Sequence, residues 1–249
     1  RRIDAVPLFE APEEGWPALI ERMAQHKPLR DLIGMEYNGI VFDAEMAGIK
    51  ILPAIEALNE IDKDETMEFA VEQTVGFGDL LPGVFGSCDL IGRIGDRAVI
   101  LDWKFGDGVA VEADENPQLM FYAAAAMRTP SLAWVFDGVE DIELIIVQPP
   151  YVKRWVTTVD RIKQFERTLY DAVQASFRQD APYTSGDHCR WCAAKPVCPL
   201  LTGQLERAVA TKVKSIDVEK ISRALEMATL AEDWAKGVRE LAQTLLENN

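Results

Sequence analysis

The sequence predicts an α/β fold, a small sheet with helices before, between and after its strands. Three observations carry this. Residues 84–106 hold two strand-like runs, "VFGSCDLIG" and "RAVILDWKFG", joined by the turn-like "RIGDR". "ENPQLMFYAAAAM" reads as a helix with a well-marked start, and "DIELIIVQPP" as a buried strand stopped by two prolines. The predicted order is helix, three strands, helix, strand, helix, which is an α/β arrangement.

Taken in order, the first 40 residues are hard to assign beyond one helix in "WPALIERMAQH". "DAEMAGIKILPAIEALNEI" carries Met46, Ile49, Leu52, Ile55 and Leu58 as a helical stripe, and Pro53 predicts a kink in it. "MEFAVEQTVGF" reads as the first strand, ahead of the two runs above. Asn116 is a good N-cap with Pro117 at the first helical position. "VDRIKQFERTLYDAVQASF" is an amphipathic helix, a cysteine-rich loop follows, and residues 215–249 read as one or two helices. No internal repeat or low-complexity tract is present.

The composition narrows the function classes. No apolar run is long enough to span a bilayer, and "RRIDAVPLFEAPEEGW" has no signal-peptide core, so a cytoplasmic protein is expected. The 41 acidic against 26 basic residues count against a simple nucleic-acid binder. They leave open an enzyme that meets phosphates through metal ions held by carboxylates.

The second and third strands carry the chemistry. Side chains alternate along a strand, so Asp102 and Lys104 share a face with Ile100. Val99, Leu101, Trp103 and Phe105 form an apolar wall on the other. The same parity turns Asp89 away from Cys88 and Leu90, and a hairpin brings Asp89 beside Asp102 and Lys104. Two carboxylates can hold Mg²⁺ or Mn²⁺, and a neighbouring ammonium can orient water and offset charge on a phosphate. Gln118 and Tyr122, four apart on the next helix, add two hydrogen-bond donors on one face. A lone D-x-K is common and can be an ordinary ion pair; the ordered set of Asp89, Asp102, Lys104, Gln118 and Tyr122 is much harder to reach by chance.

With "VEQ…PGVFGSCDLI…VILDWKFGDGV…ENPQLMFYA…IIVQPP", residues 65–203 resemble the RecB-type branch of the PD-(D/E)XK nuclease superfamily. Within it they are most similar to a phage-encoded set related to the CRISPR-associated RecB-like exonucleases. The resemblance implies a restriction-endonuclease-like core, a small mixed sheet flanked by helices. It implies metal binding by Asp89, Asp102 and the Trp103 carbonyl, catalysis by Lys104, and substrate contacts from Gln118 and Tyr122. The implied activity is metal-dependent hydrolysis of DNA at free ends, in the cytoplasm of a bacterial host. Members of this branch also carry an early acidic or histidine metal ligand. The candidates here are Glu72, Glu36 and His26, with Glu72 preferred because it lies on the strand beside the site.

Three of the four cysteines form C-x2-C-x5-C at Cys189, Cys192 and Cys198, a spacing that suits a metal rather than a disulfide framework. The pattern is similar to the C-terminal triplet of AddB and its CRISPR-associated relatives, which implies an iron–sulfur cluster, 4Fe-4S, with Zn²⁺ as the alternative. The fourth ligand is open: Cys88 reads as core, and His188 directly precedes Cys189. A segment upstream of Arg1 would supply both this ligand and the early metal ligand.

The expected organisation is an N-terminal helical region (1–64), a nuclease core (65–180), a cysteine loop (181–203) and a helical extension (204–249). An exonuclease is the leading expectation. The alternatives are a nuclease-fold module of little or no activity that binds nucleic acid or protein, and a zinc-stabilised interaction protein that docks a partner through its C-terminal helices. A homo-oligomer or protein partner is compatible with all three.

Overall fold

A computed structural model describes residues 2–7, 27–106, 110–184, 186, 188–189, 192–200, 203 and 218–247. Its elements begin with strand β1 (Arg2–Pro7), helix α1 (Lys27–Leu32) and the short strands β2 (Glu36–Tyr37) and β3 (Ile40–Val41). Helices α2 (Ala44–Met46) and α3 (Leu52–Ile61) precede strands β4 (Glu68–Gly76), β5 (Phe85–Ile94) and β6 (Arg97–Trp103). Then come α4 (Pro117–Ala126), α5 (Ala133–Phe136), β7 (Asp141–Gln148), β8 (Tyr151–Thr158), α6 (Val159–Ser176) and α7 (Val218–Glu247). The chain divides into two units, Arg1–Ala175 and Ser176–Asn249.

The first unit holds a mixed sheet in the order β1-β8-β7-β6-β5-β4. Only β6 and β7 run parallel, because the connection between them crosses over through α4 and α5. The small mixed sheet flanked by helices expected from the sequence is therefore present. β5 and β6 form the expected hairpin, closed at Gly95, whose φ of +60° suits the turn.

Both faces of the sheet are covered. On one, Cys88, Ile91, Ile100, Leu144 and Ile146 pack against Leu119, Met120 and Ala123 of α4 and Ile162 of α6. On the other, Leu90, Val99, Leu101, Ile145 and Val147 pack against Ala54, Ala57 and Ile61 of α3. Burial on two faces explains why β6 and β7 read as near-continuous apolar runs. The apolar wall fades along β6: Val99 and Leu101 are fully buried, Trp103 is half-buried, and Phe105 is exposed.

Pro53 follows a distorted stretch of helix, as its predicted kink would require: the turn Ala47–Ile51 widens into a π-helical turn and the chain stays helical through it. Two expectations change. The two prolines stop β7 at Gln148, as expected, but they turn the chain straight into a strand that was not expected, β8. The run "YVKRWVTT" hides that strand because Val152, Trp155 and Thr157 are its buried residues, a spacing without strict alternation. Finally, the N-terminal region contributes an edge strand as well as helices, since β1 pairs antiparallel with β8. The helix expected in "WPALIERMAQH" and the candidate His26 lie outside the described residues.

In the second unit, α7 runs close over the turn Lys195–Val197: a Cβ at Gly237 would stand 3.2 Å from Pro196 Cγ. Residues 218–247 form a single helix, one of the two forms expected for this stretch. No helix among the described residues is long and apolar enough to cross a membrane.

Candidate active site

The site forms where β5 parts from β6. The two strands pair in register from Ile94↔Arg97 up to Leu90↔Leu101, and Asp89 stands next in line, opposite Asp102. There the backbone ladder stops and a side chain takes over: the Trp103 N–H donates to Asp89 Oδ2 at 2.7 Å. Within a strand the N–H and C=O of one residue leave toward the same neighbour, so the Trp103 carbonyl also leaves on the Asp89 side.

Asp89 is half-buried and Asp102 is only 2% exposed. Burial raises the Asp102 pKa above the ordinary carboxylate value; the hydrogen bond and charge of Lys104 oppose the rise, and the Asp89 charge adds to it. Lys104 Nζ stands 2.6 Å from Asp102 Oδ2 and donates to Gln118 Oε1 at 3.0 Å. Gln118 Nε2 in turn donates to the Tyr122 hydroxyl at 2.8 Å.

This chain has a direction. An ammonium can only donate, so the Gln118 carbonyl must face Lys104 and its amide must face Tyr122. The phenol oxygen accepts, which leaves its own hydrogen for a further acceptor. The start of α4 fixes the geometry: Asn116 Oδ1 accepts from the Gln118 and Leu119 N–H groups, and Pro117 occupies the first turn, as expected.

Glu72 on β4 stands level with Asp89 across the β4/β5 pair, between Val71↔Leu90 and Gln73↔Cys88. Its φ of +51° is left-handed, which is unusual for a glutamate inside a strand. Gln73 Nε2 donates to the Val71 carbonyl at 2.7 Å across the distortion. Glu72, Asp89 and Asp102 therefore occupy one row across three strands. Among the described residues, no three His, Cys, Asp or Glu side chains converge closely enough to hold a metal ion as they stand. Glu72 itself is exposed.

The backbone irregularity also corrects one reading. Cys88 is core, as expected, but its side chain packs with Ile91 on the α4 face, opposite the Leu90 side chain, and its thiol donates to the Leu90 carbonyl at 3.5 Å. The strand changes parity between Cys88 and Leu90, level with the left-handed Glu72, while the β4/β5 register stays the same on either side. The Cys88 thiol is pushed up to about 12, first by burial and then by the charges of Asp89 and Asp102, so it stays protonated. Glu36 lies on the short β2–β3 hairpin, is exposed, and belongs to no part of this site.

In the second unit, Cys192 N–H donates to the Cys189 carbonyl at 3.2 Å, so these two residues share one turn. Cys198 follows directly after the Lys195–Val197 turn. No disulfide joins any of the four cysteines. His188 Nε2 pairs with the Thr184 carbonyl at 3.0 Å, so it is engaged within its own loop.

The donor set fits a hard divalent cation. Two carboxylates lie beside each other at a sheet end, and burial destabilises the charged form of one of them. The three thiols have no disulfide partner and are of the soft donor type that iron or zinc takes, but among the described residues they do not converge into a metal-holding group as they stand.

Among solved structures, the chain has a likeness to that titled "Crystal structure of SSO0001" at 16% identity, covering 74% of this chain and 81% of that one. Its TM-score of 0.32 is too low to speak for the fold. The family model described as "Protein of unknown function (DUF2800)" matches residues 44–249, and the chain belongs to that family.

Proposed function

We propose that this chain is a metal-dependent deoxyribonuclease of the RecB-like type that hydrolyses phosphodiester bonds at DNA ends. The observation that supports the reading most is the arrangement at the end of β6. Asp89 and Asp102 lie side by side, and a directed chain of donors runs from Lys104 through Gln118 to Tyr122. An ion pair that served only stability would not need that chain.

Asp89, Asp102 and the Trp103 carbonyl would hold Mg²⁺ or Mn²⁺, with Glu72 as the fourth candidate. A bound divalent ion would polarise the phosphate and acidify a coordinated water. Lys104 Nζ forms an ion pair with Asp102 and donates one N–H to Gln118, which leaves its other N–H groups for the attacking water or a phosphate oxygen. The Tyr122 hydrogen is placed to donate to a second phosphate oxygen, which holds the scissile group in line. Cys189, Cys192 and Cys198 would bind an iron–sulfur cluster or Zn²⁺ as a structural clasp of their own loop. Such an enzyme would work in the cytoplasm of a bacterial host.

The test is degradation of linear single- and double-stranded DNA with Mn²⁺ or Mg²⁺, by this chain and by Lys104→Ala. The expected result is metal-dependent loss of DNA that falls at least ~100-fold in the variant, the usual scale for removing a group that handles a proton or developing charge. Equal activity in both would exclude Lys104 and point to a contaminant. Activity in neither would favour a non-catalytic module.

A further inference from the structure

We propose that Gly86 is a positioning residue: its bare backbone is the surface on which the Tyr122 ring rests, and this holds the hydroxyl against Gln118. The part this plays in cleavage rests on the nuclease reading; the placement of the hydroxyl does not.

Gly86 lies on β5, opposite Val75 of β4. A glycine inside a strand weakens it and often marks a close approach by another group. The approach here is by Tyr122. A Cβ at Gly86 would lie 2.9 Å from Tyr122 Cε1, 3.2 Å from Phe121 Cε1 and 3.5 Å from Tyr122 Cδ1. Ordinary carbon–carbon contact is about 3.5–4.0 Å, so the tyrosine ring would have to move by roughly 0.6 Å or more.

Retreat toward Phe121 is blocked. Phe121 stands edge-on to Phe77 with centroids 5.2 Å apart, and Phe77 is 1% exposed. Phe121 also meets Tyr122 edge-on at 6.1 Å. The ring must therefore tilt about its own side-chain bonds, and Cε1 neighbours the carbon that carries the hydroxyl. Displacement at Cε1 takes the hydroxyl with it, away from a hydrogen bond that is 2.8 Å long. Gln118 then loses the partner that orients its amide, and with it the fixed carbonyl that meets Lys104.

The experiment has two arms. The first is the crystal structure of Gly86→Ala, in which the Tyr122–Gln118 separation is expected to exceed hydrogen-bond range. A separation still near 2.8 Å would overturn the proposal, whether or not the protein cleaves DNA. The second arm measures cleavage and melting of wild type, Gly86→Ala, Tyr122→Phe and the double variant. Gly86→Ala should slow cleavage by about 10- to 100-fold, the scale of a ~1 Å misplacement. In the Phe background, which keeps the ring and removes the hydroxyl, it should cost melting temperature as before but no further rate. An equal rate loss in both backgrounds would mean that Gly86 does not act through the hydroxyl, and would overturn it. If wild type cleaves nothing, the nuclease reading fails and the crystallographic arm alone decides the placement. Should Gly86→Ala not fold, Tyr122→Ala and Phe121→Ala are each added to it: recovery with Tyr122→Ala supports the ring's resting place, and recovery with Phe121→Ala alone overturns it.

Discussion

Replacing Glu72 by glycine and, separately, by alanine separates two roles that one glutamate can hold. Its φ of +51° costs an L-residue about 1–2 kcal/mol, and glycine escapes that cost. At an ordinary strand position the order is reversed, with glycine less stable than alanine by roughly 0.5–1 kcal/mol. The left-handed conformation should therefore invert the ranking, placing Glu72→Gly above Glu72→Ala by about 0.5–1 kcal/mol. For a unit of this size that is roughly 1–4 °C in melting temperature. Because Glu72 is exposed, neither variant opens a cavity that would blur the comparison. Thermal melting of the two, followed by circular dichroism without metal, is the assay. Alanine equal to or above glycine would refute the backbone argument. Cleavage then separates the roles: both variants should lose activity if the carboxylate binds metal, whereas full activity in the glycine variant would remove Glu72 from the ligand set.

Asp102 makes a signed prediction about pH. Its folded pKa lies above the unfolded value, so the native state holds the proton more tightly. As pH rises from below the ordinary carboxylate value through the raised one, this residue's contribution to stability is lost; Asp102→Asn should gain on wild type across that interval in metal-free melts, and a constant difference would refute the shift. Cys192→Ser should release iron or zinc, read by elemental analysis, and lower the melting temperature of the second unit; unchanged metal and melting would exclude the cluster. Arg97 and Arg154 are paired with Glu143, Arg128 with Glu166, Arg161 with Glu115 and Lys153 with Glu112. With these five cations engaged and acidic residues outnumbering basic ones 41 to 26 in the chain, DNA affinity should fall with salt at a log–log slope of about −1 to −3, against −6 or steeper if the unit binds DNA through a basic track.

Much of the site was legible because it depends on spacing. Period-two alternation put Asp102 and Lys104 on one face, a four-residue step put Gln118 and Tyr122 on one helix face, and Asn116-Pro117 marked where that helix starts. Reading parity assumes an unbroken alternation, however, and the strand changes parity between Cys88 and Leu90, level with the left-handed Glu72. That is why the Cys88 side chain was expected on the Leu90 side and is found with Ile91. The left-handed turn at Glu72 has no sequence signal either, since glutamate is not a residue type that favours it. Gly86 carried a visible hint, an unexplained glycine in a strand, but its reason lies in a ring 36 residues away.

The distortions at Glu72 and Asp89 fall at one level of the sheet. Extended through this level, the register would set Glu72 against Asp89 and Asp89 against Asp102. Like charges directly opposite each other on neighbouring strands are destabilising, by an amount on the order of the 0.2–1 kcal/mol that favourable pairs contribute. A regular sheet would carry two such contacts in one row. The chain departs from that regular row at all three residues: Glu72 has a left-handed backbone, Asp89 accepts from a backbone donor in place of ladder pairing, and Asp102 pairs with Lys104. Relief of a repulsion of that size does not by itself offset a left-handed residue. Each adjustment has its own cost, in left-handed backbone, in lost strand pairing and in burial of a carboxylate. A fold optimised for stability alone would place apolar or uncharged residues there. Keeping three acids in one row makes sense if a cation between them turns the repulsion into the binding energy of the site.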